Sequence, residues 1–181
     1  MQSTKSNDGF TASELIVVIL ILAILAGVLV PRVTDRLAAA RDAQRLSDVR
    51  RLRDAIDQYF LDHGAYPPPA ISGDERDYDS SHGGDFIPEL LRTGALREPV
   101  VDPLGDALHA YGYNLYEEGT CGCAGKGKFY VLGITRFETP EFAAAHPGYF
   151  KCAQKDWNAD FEYVTGGGAS EREPASALSR K

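Results

Sequence analysis

The sequence predicts an α+β protein in which a long N-terminal helix packs on a small antiparallel β-sheet head. Three observations predict it: an apolar run near the N-terminus, a charged segment after it without Gly or Pro, and short aromatic stretches set between glycine-rich turns. A chain of 181 residues accommodates one domain with a real core plus an appendage more readily than two domains.

The apolar run comes first. Residues 15–30 read LIVVILILAILAGVLV, and the flanking 10–13 extend the stretch. As a helix over 10–30 it would measure about 30 Å at about 1.5 Å per residue, which matches a bilayer core. An ordinary secretory signal places its small residue after the apolar block, whereas here Gly9 precedes it and MQSTKSNDG is polar throughout. Glu14 stands alone in this run. A carboxylate entering an apolar helix costs about 2.5 to 3.5 kcal/mol on insertion scales. Two readings follow: a cut after Gly9 creates a positive amine at Phe10 to pair with it, or Glu14 lies at headgroup level against the positive end of the helix.

The stretch GFTASELIVVILILAILAGVLVPR resembles the N-terminal signature of the type IV prepilin and pseudopilin superfamily, matching it at Gly9, Phe10, Thr11, Glu14 and Pro31. The resemblance implies that residues 1–9 are a leader removed by a prepilin peptidase after Gly9, and that Phe10 is then N-methylated. It implies that Glu14 guides packing into a filament and that Pro31 lies where the helix bends or melts. Asp8 stands where many members carry Lys or Arg, and Ala12 and Ser13 replace the usual bulky apolar pair.

Residues 32–63 follow as good helix formers, so the helix is expected to continue to about His63. Val33, Leu37 and Ala40 share one face; Leu46, Val49, Leu52, Ile56 and Tyr59 share another. The lower stripe suits neighbouring subunits and the upper one suits the sheet, with a single buried face and a local kink as the alternative. Seven Arg and six Asp are interleaved here, which reads as a solvated face or as pairing between subunits.

Gly64 and three prolines stop the helix, and the polar stretch 72–85 reads as loop. Beyond it the chain resembles the major, G-type pseudopilins of type II secretion at Tyr66, Pro67, Leu90, Leu91, Gly94, Leu96, Asp102, Pro103, Gly105, Tyr111 and Tyr113. Strands are expected at 110–116, 128–137 and 161–165, and a disordered tail at 166–181. The expected organisation is a leader at 1–9, a transmembrane and filament-core helix at 10–31, an amphipathic helix at 32–63, a globular head at 64–165 and the tail.

Cys121 and Cys123 lie too close together to favour a mutual bond, so a disulfide from one of them to Cys152 is expected outside the cytoplasm. Free thiols, or zinc with His109 or His146 as fourth ligand, are the alternatives. Asp156, Asn158 and Asp160 alternate like the start of a calcium loop, but no glycine turn or closing glutamate follows, and a plain polar turn is the other reading. Members of the resembling family bind calcium in the head, though their ligand-bearing loop has no clear counterpart here. No other cofactor is expected. No phosphate loop, GxSxG or HExxH occurs, so an enzyme is not expected, and a net charge of -7 argues against nucleic acid as a partner.

The resemblance implies a structural subunit of a type II pseudopilus or of an adhesive or motility pilus. The expected partners are other copies of the chain, prepilin peptidase, an inner-membrane assembly platform and minor pilins or pseudopilins. It would start as a single-pass inner-membrane precursor with its head outside the cytoplasm, then enter a periplasmic or cell-surface filament. From another class, a membrane-tethered extracytoplasmic binding domain remains an alternative.

Overall fold

The computed structural model describes residues 10–70, 79–82, 85–125 and 127–168; the side chains of 28–32 fall outside that set. The chain divides into two compact units between Ala38 and Ala39. Helix α1, Ala12–His63, runs through both. Gly64 ends it in the left-handed conformation at φ 70°, its N–H donating to Phe60 O at 2.8 Å, and the three prolines beyond cannot extend the helix. In the first unit the side chains from Leu15 to Leu25 stay largely exposed, as do Val33 and Leu37. Among the described residues no helix is long and apolar enough to cross a membrane.

The second unit is built on a four-stranded antiparallel sheet in the order β1-β2-β3-β4: β1 Asp79–Ser80, β2 Tyr111–Tyr116, β3 Phe129–Ile134 and β4 Tyr163–Gly168. Short helices α2, Pro88–Arg92, and α3, Pro140–Ala145, lie in the connections. Strand β3 reads FYVLGI and is buried at every position. Its period-two alternation explains why. Tyr130, Leu132 and Ile134 join a core with Val49, Leu52, Ile56 and Tyr59, the upper stripe of α1. Phe129 and Val131 instead meet Tyr116, Phe150, Trp157, Phe161 and Val164 in a second cluster. The sheet is thus covered on both faces, where sequence periodicity had suggested a helix on one. Gly133 makes the outer cover possible, because a Cβ there would fall 2.4 Å from the Phe161 ring.

Two expectations are corrected. The stretch read as loop contains β1, paired at Asp79 with Tyr113 and at Ser80 with Gly112. Its polarity is used inward: the buried Asp79 carboxylate accepts from Ala70 and Ile87 N–H at 3.1 Å each, and Ser81 Oγ accepts from Tyr111 N–H at 2.8 Å. Gly166 to Gly168, assigned above to the tail, complete β4 opposite Phe129 to Val131. Glycine is required there by contact, since a Cβ on Gly166 would lie 2.5 Å from Tyr130 O and 2.8 Å from the Phe150 ring. The remaining tail, 169–181, lies outside the described residues, as does the leader 1–9.

Candidate functional site

At the start of α1, Thr11 and Glu14 close on each other. The Thr11 N–H and Oγ1 both donate to Glu14 Oε2 at 2.8 Å, and Glu14 N–H donates back to Thr11 Oγ1 at 3.3 Å. This is a reciprocal capping box that satisfies otherwise orphan groups of the first turn. The T-x-x-E spacing carries that signal in the sequence, where the reading of Glu14 overlooked Thr11 as its partner. Phe10 precedes the cap with 90% of its surface exposed. Glu14 therefore has a neutral intramolecular partner while the apolar side chains below it remain uncovered. Gly9 lies outside the described residues; Pro31 lies within the span of α1.

The second unit gathers charges that the interleaved sequence left as a solvated face or as pairs between subunits. Asp42 and Arg45, one turn apart on α1, have no exposed side-chain surface. Arg45 Nε and Nη2 donate to the two oxygens of Asp102 at 2.6 and 3.0 Å, while Nη1 donates to Asp42 Oδ1 at 2.7 Å and to Glu138 Oε1 at 2.8 Å. Asp42 also accepts from the Glu138 and Thr139 N–H groups at 2.9 Å each and from Thr139 Oγ1 at 2.7 Å. Arg41 Nε donates to Glu138 Oε1 at 2.8 Å. Helix α1, the turn at 102–105 and the entry to α3 are thus held by one cluster with no buried side-chain polar atom left unpaired among the described residues.

The electrostatics follow the geometry. Hydrogen bonds from Arg41, opposed by burial and reinforced by Arg45, hold the Glu138 carboxyl down to about 2. Burial works against the Arg45 charge, but Asp102 and Glu138 outweigh it and raise its pKa. Other motif residues serve the same join. Tyr111 Oη donates to the Asp48 carboxylate of α1 at 3.0 Å, and Tyr113 Oη donates to Pro67 O at 2.7 Å. Burial pushes the Asp48 carboxyl up.

The cysteines divide two to one. Cys123 and Cys152 are joined, with Cα atoms 5.1 Å apart across 29 residues, and Cys121 is free and half-buried beside the outer cluster. His109 bonds Asp106 and His146 stacks on Phe142, so the two histidines face different neighbours. Asp156 caps the 3₁₀ turn Trp157–Ala159 by accepting from Asn158 N–H at 3.0 Å, and Asp160 pairs with Lys155 at 3.3 Å. Among the described residues no group of three His, Cys, Asp or Glu side chains is placed to hold a metal.

Comparison with known proteins adds the family. The chain is 32% identical over 129 residues to the type II secretion system core protein G of Pseudomonas aeruginosa, covering 71% of this chain and 84% of that one. It is 37% identical over 67 residues to the protein of the same name from Escherichia coli K12, covering 37% of this chain and 46% of that one. A type IV major pilin of Neisseria gonorrhoeae is 32% identical over 84 residues, covering 46% of this chain and 51% of that one. No protein-family model and no solved structure matches.

Proposed function

The chain belongs to the type II secretion system core protein G family, and from that premise we propose that it is a pseudopilin, a structural subunit assembled through its N-terminal helix into a pilus-like filament. One observation carries this reading: a match of 129 residues cannot be confined to a helix of 52, so the likeness includes the head. The pilin match favours a second reading, a subunit of an adhesive or motility pilus, over a smaller part of the chain.

In this account prepilin peptidase cuts after Gly9 and Phe10 is methylated. The apolar residues 10–31 then anchor the precursor in the inner membrane, with the head outside the cytoplasm. Exposed apolar side chains along the first unit support their use as a packing surface between copies. The Phe10 amine of a neighbouring copy would bring Glu14 a charged partner in place of the neutral Thr11 hydroxyl, an exchange that strengthens the hydrogen bond. Pro31 falls at the end of the anchor. An assembly platform and minor pseudopilins are the further partners, and no side chain is assigned a catalytic role.

Mass spectrometry of the membrane-extracted protein tests this. The expected chain begins at methylated Phe10, and Gly9→Val leaves the precursor uncut. A chain retaining Met1 or Gln2 in cells that carry prepilin peptidase overturns the reading.

A further inference from the structure

The free thiol and the disulfide lie in one place. Cys123, 3% exposed, belongs to the outer cluster, and both Cys121 and Cys152 pack against that same cluster. The segments that carry them are in close contact. Cys121 O accepts from Gln154 N–H at 3.0 Å, and a Cβ on Gly122 would fall 3.0 Å from Gln154 Cγ and 3.2 Å from Ala153 Cβ. The turn bearing Cys121 and Cys123 is therefore seated directly on the residues that follow Cys152.

The backbone of this turn is built to move. Cys121 is held at φ 56°, a left-handed conformation that disfavours any residue with a Cβ, and such strain tends to mark a functional position. Gly119 and Gly122 flank it at φ 79° and 75°. Glycine passes between left- and right-handed backbone without a steric penalty, so the turn can exchange which cysteine it presents to Cys152. A bond from Cys121 would close a loop only two residues longer than the bond from Cys123. Chain entropy hardly distinguishes the two, which leaves local geometry to choose.

We propose that the three cysteines form an internal thiol–disulfide exchange switch. The Cys121 thiolate attacks Cys152 Sγ; the Cys121–Cys152 bond forms as the Cys123–Cys152 bond breaks, and Cys123 departs as a thiolate. The proton lost by Cys121 ends on Cys123, so the step needs neither oxidant nor reductant. The staple stays closed while its register moves. What changes is the outer cover, because Cys123 gives up its buried place in the cluster that holds Phe129, Phe150 and Trp157. The switch lies in the second unit and does not rest on the filament reading.

The test uses the full oxidised chain in detergent micelles, held at about pH 8 for increasing times so that thiolate is populated, then quenched in acid. The free thiol is labelled with excess maleimide under denaturing, mildly acidic conditions, and tandem mass spectrometry locates the label. Label is expected on Cys121 from the start, joined by label on Cys123 that rises to a plateau several-fold below it, at a rate independent of protein concentration. Oxidised Cys123→Ser should carry a Cys121–Cys152 bond and no free thiol. Label confined to Cys121 at every time overturns the proposal. So does a rate of Cys123 labelling that grows with protein concentration, since the bond would then pass between copies. Cys123→Ser that unfolds as cooperatively as Cys121→Ser yet keeps two free thiols also overturns it, and if Cys123→Ser does not fold, the wild-type labelling alone decides.

Discussion

The guanidinium of Arg45 meets the carboxylate of Asp102 side-on, Nε to Oδ2 at 2.6 Å and Nη2 to Oδ1 at 3.0 Å, with at most 1% of either side chain exposed. Helix α1 is thereby tied to a turn 57 residues further along the chain. Charges taken out of water are compensated here, among the described residues, by each other, by Asp42 and Glu138, and by the Leu104 N–H that donates to Asp102 Oδ1 at 2.9 Å, so losing one partner is costlier than the net worth of the pair.

Asp102→Ala strands the buried Arg45 and is expected to cost about 3 to 5 kcal/mol. Urea unfolding checks it, with Asp102→Asn losing less because one acceptor oxygen remains. A midpoint for Asp102→Ala within about 1 kcal/mol of wild type would mean that solvent enters the cluster freely.

The pH dependence of stability has a definite sign at Glu138. Its folded pKa of about 2 lies below the ordinary 4.5, so its contribution is complete above about pH 4.5 and is lost as pH falls toward 2. The loss is on the order of 3 kcal/mol. Asp48, Asp57 and Asp79, whose carboxyls burial pushes up, contribute with the opposite sign in acid. The measurement is therefore the difference between wild type and Glu138→Gln, which should shrink steadily from pH 5 to pH 2.

Sequence periodicity was enough to place the upper stripe of α1 against a sheet, because Val49, Leu52 and Ile56 recur at helical spacing and are buried. It could not place Asp42 and Arg45. Charge interleaving looks the same whether a face is solvated or meets buried partners 57 to 97 residues away. Gly166 to Gly168 were misread for a related reason: a glycine chosen for close approach is indistinguishable by composition from one in a linker. The second cluster was hidden because Phe129 and Val131 sit in a strand apolar on both faces, where alternation carries no signal. Strand β1 was missed because its side chains are polar and turned to backbone N–H groups.

Reducing the bond between Cys123 and Cys152, or replacing Cys152 by Ser, opens a loop of 29 residues. The expected loss is about 3 to 4 kcal/mol in the chain-entropy model. It should appear in the Trp157 environment, since the Trp157 indole donates to Tyr116 Oη at 3.2 Å inside the cover that the bond staples. Thiol titration of the oxidised protein should find one reactive group, Cys121. Three would show that packing alone holds the cover.

The central claim is assembly through the N-terminal helix, and imaging of filaments formed by the Glu14→Leu protein in cells with the assembly machinery tests it most directly. The substitution removes the carboxylate from a cap that, among the described residues, hydrogen-bonds only with Thr11, far in sequence from the disulfide and the buried cluster. The account predicts wild-type filaments that label for this protein, and for Glu14→Leu a folded, disulfide-bonded, membrane-associated protein that forms none or only irregular ones. Regular Glu14→Leu filaments at wild-type abundance would contradict the assigned role of Glu14, and absence of this protein from wild-type filaments would contradict the claim itself.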